Sequence, residues 1–170
     1  AAGVTGMIYR LTGVLRLLGR LGAAEAACRE GLRFVEEQRM GRLPAAGILH
    51  LAMAEVLLER NELEAAEGHL ARGNELGRHS GGRLDTVRNA ARPLARLRLA
   101  RGDASGALAA VDEAERALGE PPPPLAQAEL LALKAGLLAR QGLLSQAVQC
   151  VDEAARLAGQ NQGRTGELVA

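Results

Sequence analysis

Apolar residues recur at three- and four-residue steps along most of the chain, which is the period of a helix face. Met7, Ile8, Leu11 and Leu15 show it first. Leu51, Ala54 and Leu58 repeat it. The steps are cut by glycine, asparagine and proline at regular places. The breaks predict four helix pairs, over 5–18 and 21–37, 45–59 and 63–78, 85–101 and 104–118, and 125–140 and 144–158. Gly19 suits the end of the first helix because glycine tolerates a left-handed backbone. Pro44 suits a first helical turn, and Asp85 or Thr86 is a natural N-cap for the fifth helix. Pro93 falls inside that helix. A proline there removes a hydrogen bond and predicts a kink or a late helix start.

One frame recurs through these pairs. A turn residue is followed by a small or apolar residue two, five, nine and twelve places later. Gly19 leads to Leu21, Ala24, Cys28 and Gly31, and Asn61 leads to Leu63, Ala66, Leu70 and Gly73. Gly102 leads to Ala104, Ala107, Val111 and Ala114, and Gly142 leads to Leu144, Ala147, Val151 and Ala154. The frames start 42, 41 and 40 residues apart, a period that marks stacked repeats. Seven residues before each turn stands Thr12, Ala54, Ala95 or Ala135. These small residues face the alanine five places after the turn and let two helices approach closely. A leucine at Ala107 would overpack such a contact by roughly 1–3 kcal/mol. Gly31, Gly68 and Gly73 each cost a helix about 1 kcal/mol relative to alanine, a cost that stacking on neighbours must offset. The expected fold is all-α, a right-handed superhelix of about four antiparallel helix hairpins. Repeats at 5–38, 45–78, 85–118 and 125–158 form one domain over 1–158, followed by a flexible tail at 159–170. The ends should be its weakest parts.

Composition narrows the core. Aromatics are limited to Tyr9 and Phe34, so the interior is leucine, valine and alanine. Lys134 is the single lysine among 21 basic residues, and the formal charge of +1 carries no nucleic-acid footprint. Cys28 and Cys150 lie far apart without a motif, which points to free thiols in a reducing, cytoplasmic setting. No apolar run reaches membrane length. The opening Ala-Ala-Gly, without Met, reads as a piece of a longer protein. His79–Arg83 reads as a loop. The run Gly119–Pro124, GEPPPP, reads as a stiff spacer, with a docking ligand as the lesser alternative.

The frame of turn glycine, alanine five later and small residue twelve later is that of tetratricopeptide (TPR) repeats, at a longer period than usual. Leu43-Pro44-Ala45-Ala46-Gly47, His50-Leu51, Ala54-Glu55-Val56-Leu57, Glu59-Arg60-Asn61 and Leu63-Glu64-Ala65-Ala66-Glu67 are more specific. With Leu99-Ala100-Arg101-Gly102-Asp103 and Ala107-Leu108 they resemble the TPR-like solenoid of MalT-like, ATP-dependent LuxR-family transcription regulators. The resemblance implies a sensor region that takes an inducer or a regulatory protein. It also implies an adjacent nucleotide-binding module and a helix-turn-helix elsewhere in a longer chain. ATP and DNA binding would belong to those modules, since no phosphate loop ending in Lys-Ser/Thr occurs in this sequence.

Spacing places Tyr9 and Arg16, Glu55 and Glu59, Asn89, Arg92 and Arg96, and Glu129 and Arg140 on the groove side of the first helices. Arg88, Arg92 and Arg96 fall every four residues and could hold an anionic ligand or a partner's carboxylates, or form a solvated basic face. Tyr9 is a stacking platform or a packing residue. His50, His69 and His79 have no ligand spacing with one another or with a cysteine, so no metal is expected. Glu55 and Glu59 lack a nucleophile or base pattern, and no cofactor is implied; an enzyme is disfavoured. The alternative to a regulator's sensor is a stand-alone TPR adaptor that binds a peptide tail. Its chaperone-binding subclass uses Lys and Asn where this chain has Leu51, Glu55, Arg92, Arg96, Ala132 and Gly136.

Overall fold

The computed structural model describes residues 2–78 and 83–167. Among the described residues there are eight helices and no strand: α1 (Ala2–Leu17), α2 (Leu21–Glu37), α3 (Pro44–Glu59), α4 (Leu63–Arg78), α5 (Arg83–Ala100), α6 (Ala104–Ala117), α7 (Pro124–Arg140) and α8 (Leu144–Glu167). They form four antiparallel pairs in an α-solenoid. Most of the expected loop at His79–Arg83 lies outside the described residues. Helix α5 begins at Arg83, two residues before Asp85, so Pro93 sits inside the helix rather than at a late start. Helix α8 continues past Ala158 to Glu167.

The four turns are equivalent. Gly19, Asn61, Gly102 and Gly142 all adopt positive φ, at 69°, 60°, 79° and 78°. Asparagine is the residue other than glycine that tolerates this region most readily. Each turn ends one helix and lets the next fold back along it. Asp103 then caps α6, its carboxylate accepting from the Gly106 amide at 2.7 Å.

The small frame residues meet as spacing requires. Thr12, Ala54, Ala95 and Ala135 are buried, as are Ala24, Ala66, Ala107 and Ala147. Gly31 and Gly73 are closely approached: a β-carbon at Gly73 would stand 2.7 Å from Leu51 Cδ2 and 3.0 Å from the Gly47 carbonyl oxygen. One at Gly31 would stand 2.9 Å from Ile8 Cδ1. Gly68 faces open space, and nothing in the structure explains it.

The interior is a band rather than a central globule. Cys28, Leu51, Val56 and Leu70 belong to one cluster, and Ala107, Val111, Ala126 and Leu130 to the next. Helix α5 joins them, giving Ala90 and Leu97 to the first and Ala91 and Ala95 to the second.

Helix contacts fix the curvature. The first helices of the pairs touch in series, α1 with α3, α3 with α5 and α5 with α7. Among the described residues the second helices touch only their sequence neighbours. The row is therefore tight along the odd helices and splayed along the even ones. The odd helices line the concave side.

Candidate functional site on the concave face

The concave face gathers side chains that are far apart in sequence. On α1, Arg16 donates to Glu55 of α3 and, at 3.3 Å, to Glu59 one turn further on. On α5, Arg96 donates to the same Glu59 oxygen at 2.7 Å. Arg16, Glu59 and Arg96 thus tie three consecutive first helices together. Arg96 and Arg16 hold the Glu59 carboxyl below the ordinary carboxylate range, with the Arg96 hydrogen bond as the largest cause. Glu55 is buried beneath this chain and acts as its anchor rather than as an open groove side chain.

Tyr9 reaches across α3. Its hydroxyl donates to Asn89 Oδ1 of α5 at 3.5 Å, a long bond that nevertheless joins the first repeat to the third. Burial pushes the Tyr9 hydroxyl's pKa up; Arg88, Arg92 and Arg16 oppose that shift, and Glu129 adds to it. Glu129 of α7 is exposed and makes no ion pair among the described residues.

Next to this chain lies a pocket of about 500 Å³ between α5 and α7, closed at one side by the α3–α4 turn. Arg92, Arg96 and Arg140 line it, above an apolar floor that includes Leu99 and Leu133. Among the described residues only Arg96 of the three has an acidic partner. Gly136 opens into free space there. The face can therefore hold a ligand with a negative group and an apolar body. A larger cleft, of about 860 Å³, opens where α4 and α6 splay apart on the outer side. It includes none of the residues singled out on the groove side.

Of the residues singled out by spacing, Arg16, Glu55, Glu59 and Arg96 form one linked chain and Tyr9 with Asn89 a separate pair, and Arg92 and Arg140 join Arg96 at the pocket. Glu129 stands apart from that chain.

A pair that spacing did not suggest is His50 of α3 with His69 of α4. Their Nδ1 atoms are 2.9 Å apart, so one ring donates and the other accepts. Burial lowers the His50 pKa to about 4, helped by the His69 and Arg72 charges. The hairpin register carried the signal. His50 lies one helical turn before Ala54 and His69 one turn after Ala66, the facing pair of that hairpin. Among the described residues no three His, Cys, Asp or Glu side chains are grouped for a metal, and no helix is long and apolar enough to cross a membrane.

No curated protein matches the chain. A solved structure similar to it is that of BtubC (BKLC) from P. vanneervenii, at 19% identity and a TM-score of 0.63. The likeness covers 94% of this chain and 65% of that one, so this chain spans just under two thirds of that protein's length. At that identity the likeness speaks for the fold. The family model of the MalT-like TPR region matches residues 3–162. With the four equivalent turns and the facing alanines, that match shows that the chain belongs to the MalT-like TPR family.

Proposed function

We propose that this domain is the non-catalytic sensor and interaction region of a MalT-like, LuxR-family transcription regulator, working in the cytoplasm. It takes an inducer or a regulatory protein on its concave face. In this reading the nucleotide-binding and helix-turn-helix modules belong to the same longer chain. The observation that carries the reading is the pocket lined by Arg92, Arg96 and Arg140, set beside a side-chain chain that spans three repeats. An occupant there touches several repeats at once. It would couple binding to the curvature of the whole row, which is what a sensor between two modules needs.

Arg92 and Arg140, which have no acidic partner among the described residues, favour a carboxylate or phosphate on the ligand or partner, since guanidinium pairs with both in a planar, two-bonded way. The test is a thermal-shift screen of anionic and neutral metabolites, followed by titration of each hit into wild type and into the Arg92→Glu plus Arg96→Glu variant. Binding should weaken at least about tenfold, equivalent to about 1.4 kcal/mol, with helical content unchanged. Equal affinity for the two proteins would remove the basic groove from the account. Coding sequence on either side that lacks both modules would contradict the regulator context.

A further inference from the structure

The outer cleft between α4 and α6 lies where one junction of the solenoid is underfilled. The repeat frame fixes which positions meet there. They stand twelve, eleven and four residues before the turn on the first helix of a pair, and fifteen after it on the second. In the second pair these positions hold Leu49, His50, Leu57 and Leu76, and in the fourth Leu130, Leu131, Leu138 and Leu157. Apart from His50 and Leu131, these side chains are at most 6% exposed. The third pair has Ala90, Ala91, Arg98 and Ala117 instead, and all four line the cleft. Apolar volume is therefore missing at four positions of a single junction. Packing lost in this way costs stability, and a molecule seated in the cleft offsets that cost.

The exchange also brings charge. Four residues before the turn stand Leu15, Leu57 and Leu138 in the other three pairs, and Arg98 here. Arg98 donates one N–H to the Gly106 carbonyl oxygen, which ties its guanidinium to α6. Arg78 of α4 and Arg116 of α6 stand exposed on the two rims. Among the described residues none of the three forms an ion pair. Glu113 is the one acid in the described lining, so three positive charges against one negative leave an excess of two.

We infer that this cleft is a second ligand site, on the side of α5 opposite the concave pocket. Its ligand is a small molecule that joins a dianionic head to a compact apolar body. Guanidiniums from α4, α5 and α6 offer charged N–H donors to the head. Ala90, Ala91, Leu94 and Ala110 receive the body. Size favours a small molecule over a protein segment. The cleft of about 860 Å³ falls within the roughly 300–1,000 Å³ of small-molecule sites. A stable protein interface takes about 20–30 residues a side, and eleven described residues line this cleft.

Fluorescence titration of 1-naphthyl phosphate, a phosphate monoester on an apolar body, tests this. It is run in the Arg92→Glu plus Arg96→Glu background, so that the binding recorded lies outside the concave pocket. The ester should bind there at a single saturable site. Arg98→Leu restores the residue of the other repeats and should weaken binding at least about tenfold. Arg78→Glu plus Arg116→Glu, on the exposed rims, should do the same. 1-Naphthol, which has the apolar body without the phosphate, should bind at least about tenfold more weakly than the ester. If Arg98→Leu loses helical content, the rim variant decides. No saturation below about 1 mM overturns the inference. So does an affinity that the cleft variants leave unchanged, or naphthol binding equal to that of the ester. Loss of binding between wild type and the Arg92→Glu plus Arg96→Glu background, with the cleft variants still effective, would leave both sites standing.

Discussion

Helices α3 and α8 occupy the same kind of repeat and differ in almost every energetic respect. Helix α3 is hemmed in by α1, α2, α4 and α5, and it buries residues around its whole circumference, from Ala46 to Leu58. Among the described residues helix α8 touches α7 alone. Of its described side chains, Ala147 and Leu157 are buried while Leu144, Val148 and Val151 face outward. The difference lies in the number of neighbours rather than in local sequence preference. In such an array a helix is stable to the extent that its flanking repeats cover it. The apolar positions of α8 are as good as those of α2, α4 and α6, and lack only a covering helix.

Ion pairs offer the sharpest way to break that comparison. Arg16→Leu leaves Glu55 buried on α3 without its cation, and a lone buried charge costs about 3–5 kcal/mol. Glu153 and Arg156 pair on exposed α8, where Arg156→Leu should leave the urea midpoint close to that of wild type. Urea unfolding of the two variants measures both. Similar losses would mean that burial does not set the scale.

Acid titration comes next in size. His50 has a folded pKa of about 4 against an ordinary value of 6.5, so the folded state prefers it neutral. The unfolded chain takes up the proton first as pH falls. Stability from this site is therefore complete above about pH 6.5, declines between 6.5 and 4, and is flat below. The decline should amount to about 1–3 kcal/mol, and His50→Gln should remove most of it. A wild-type stability that is level from pH 7 to pH 4 would contradict the burial of His50 beside His69.

The smallest effects concern two helical glycines on α4. Gly73→Ala forces a β-carbon against Leu51 and the Gly47 backbone, and should cost about 1 kcal/mol after its gain in helix propensity. Gly68→Ala meets nothing and should add up to about 1 kcal/mol. Melting temperatures should move in opposite directions. A shared sign would show that propensity, rather than the α3–α4 approach, decides both.

The sequence made the architecture legible because the turn residue needs positive φ and the facing positions need a small side chain. Both demands leave a mark at fixed spacing, as at Asn61, Ala54 and Ala66. The groove residues were legible in part. Arg16, Glu59, Asn89 and Arg96 could be placed on one side by period alone. Period could not show that Glu55 sits under that side, because burial depends on how closely α1 and α5 flank α3. The histidine pair was missed for a related reason: linear spacing compares residues along the chain, and His50 meets His69 across a hairpin. The start of α5 at Arg83 was masked by Asp85 and Thr86, which carry good capping chemistry two and three residues into the helix.

Native-state hydrogen exchange read helix by helix tests the central claim, that stability here is inherited from neighbouring repeats. Helix α3 should exchange most slowly, α5 next, and α1 and α8 fastest, with α8 opening while α3 remains protected. A single common opening step that releases α3 and α8 at the same rate would contradict a nearest-neighbour array and point to one cooperative core.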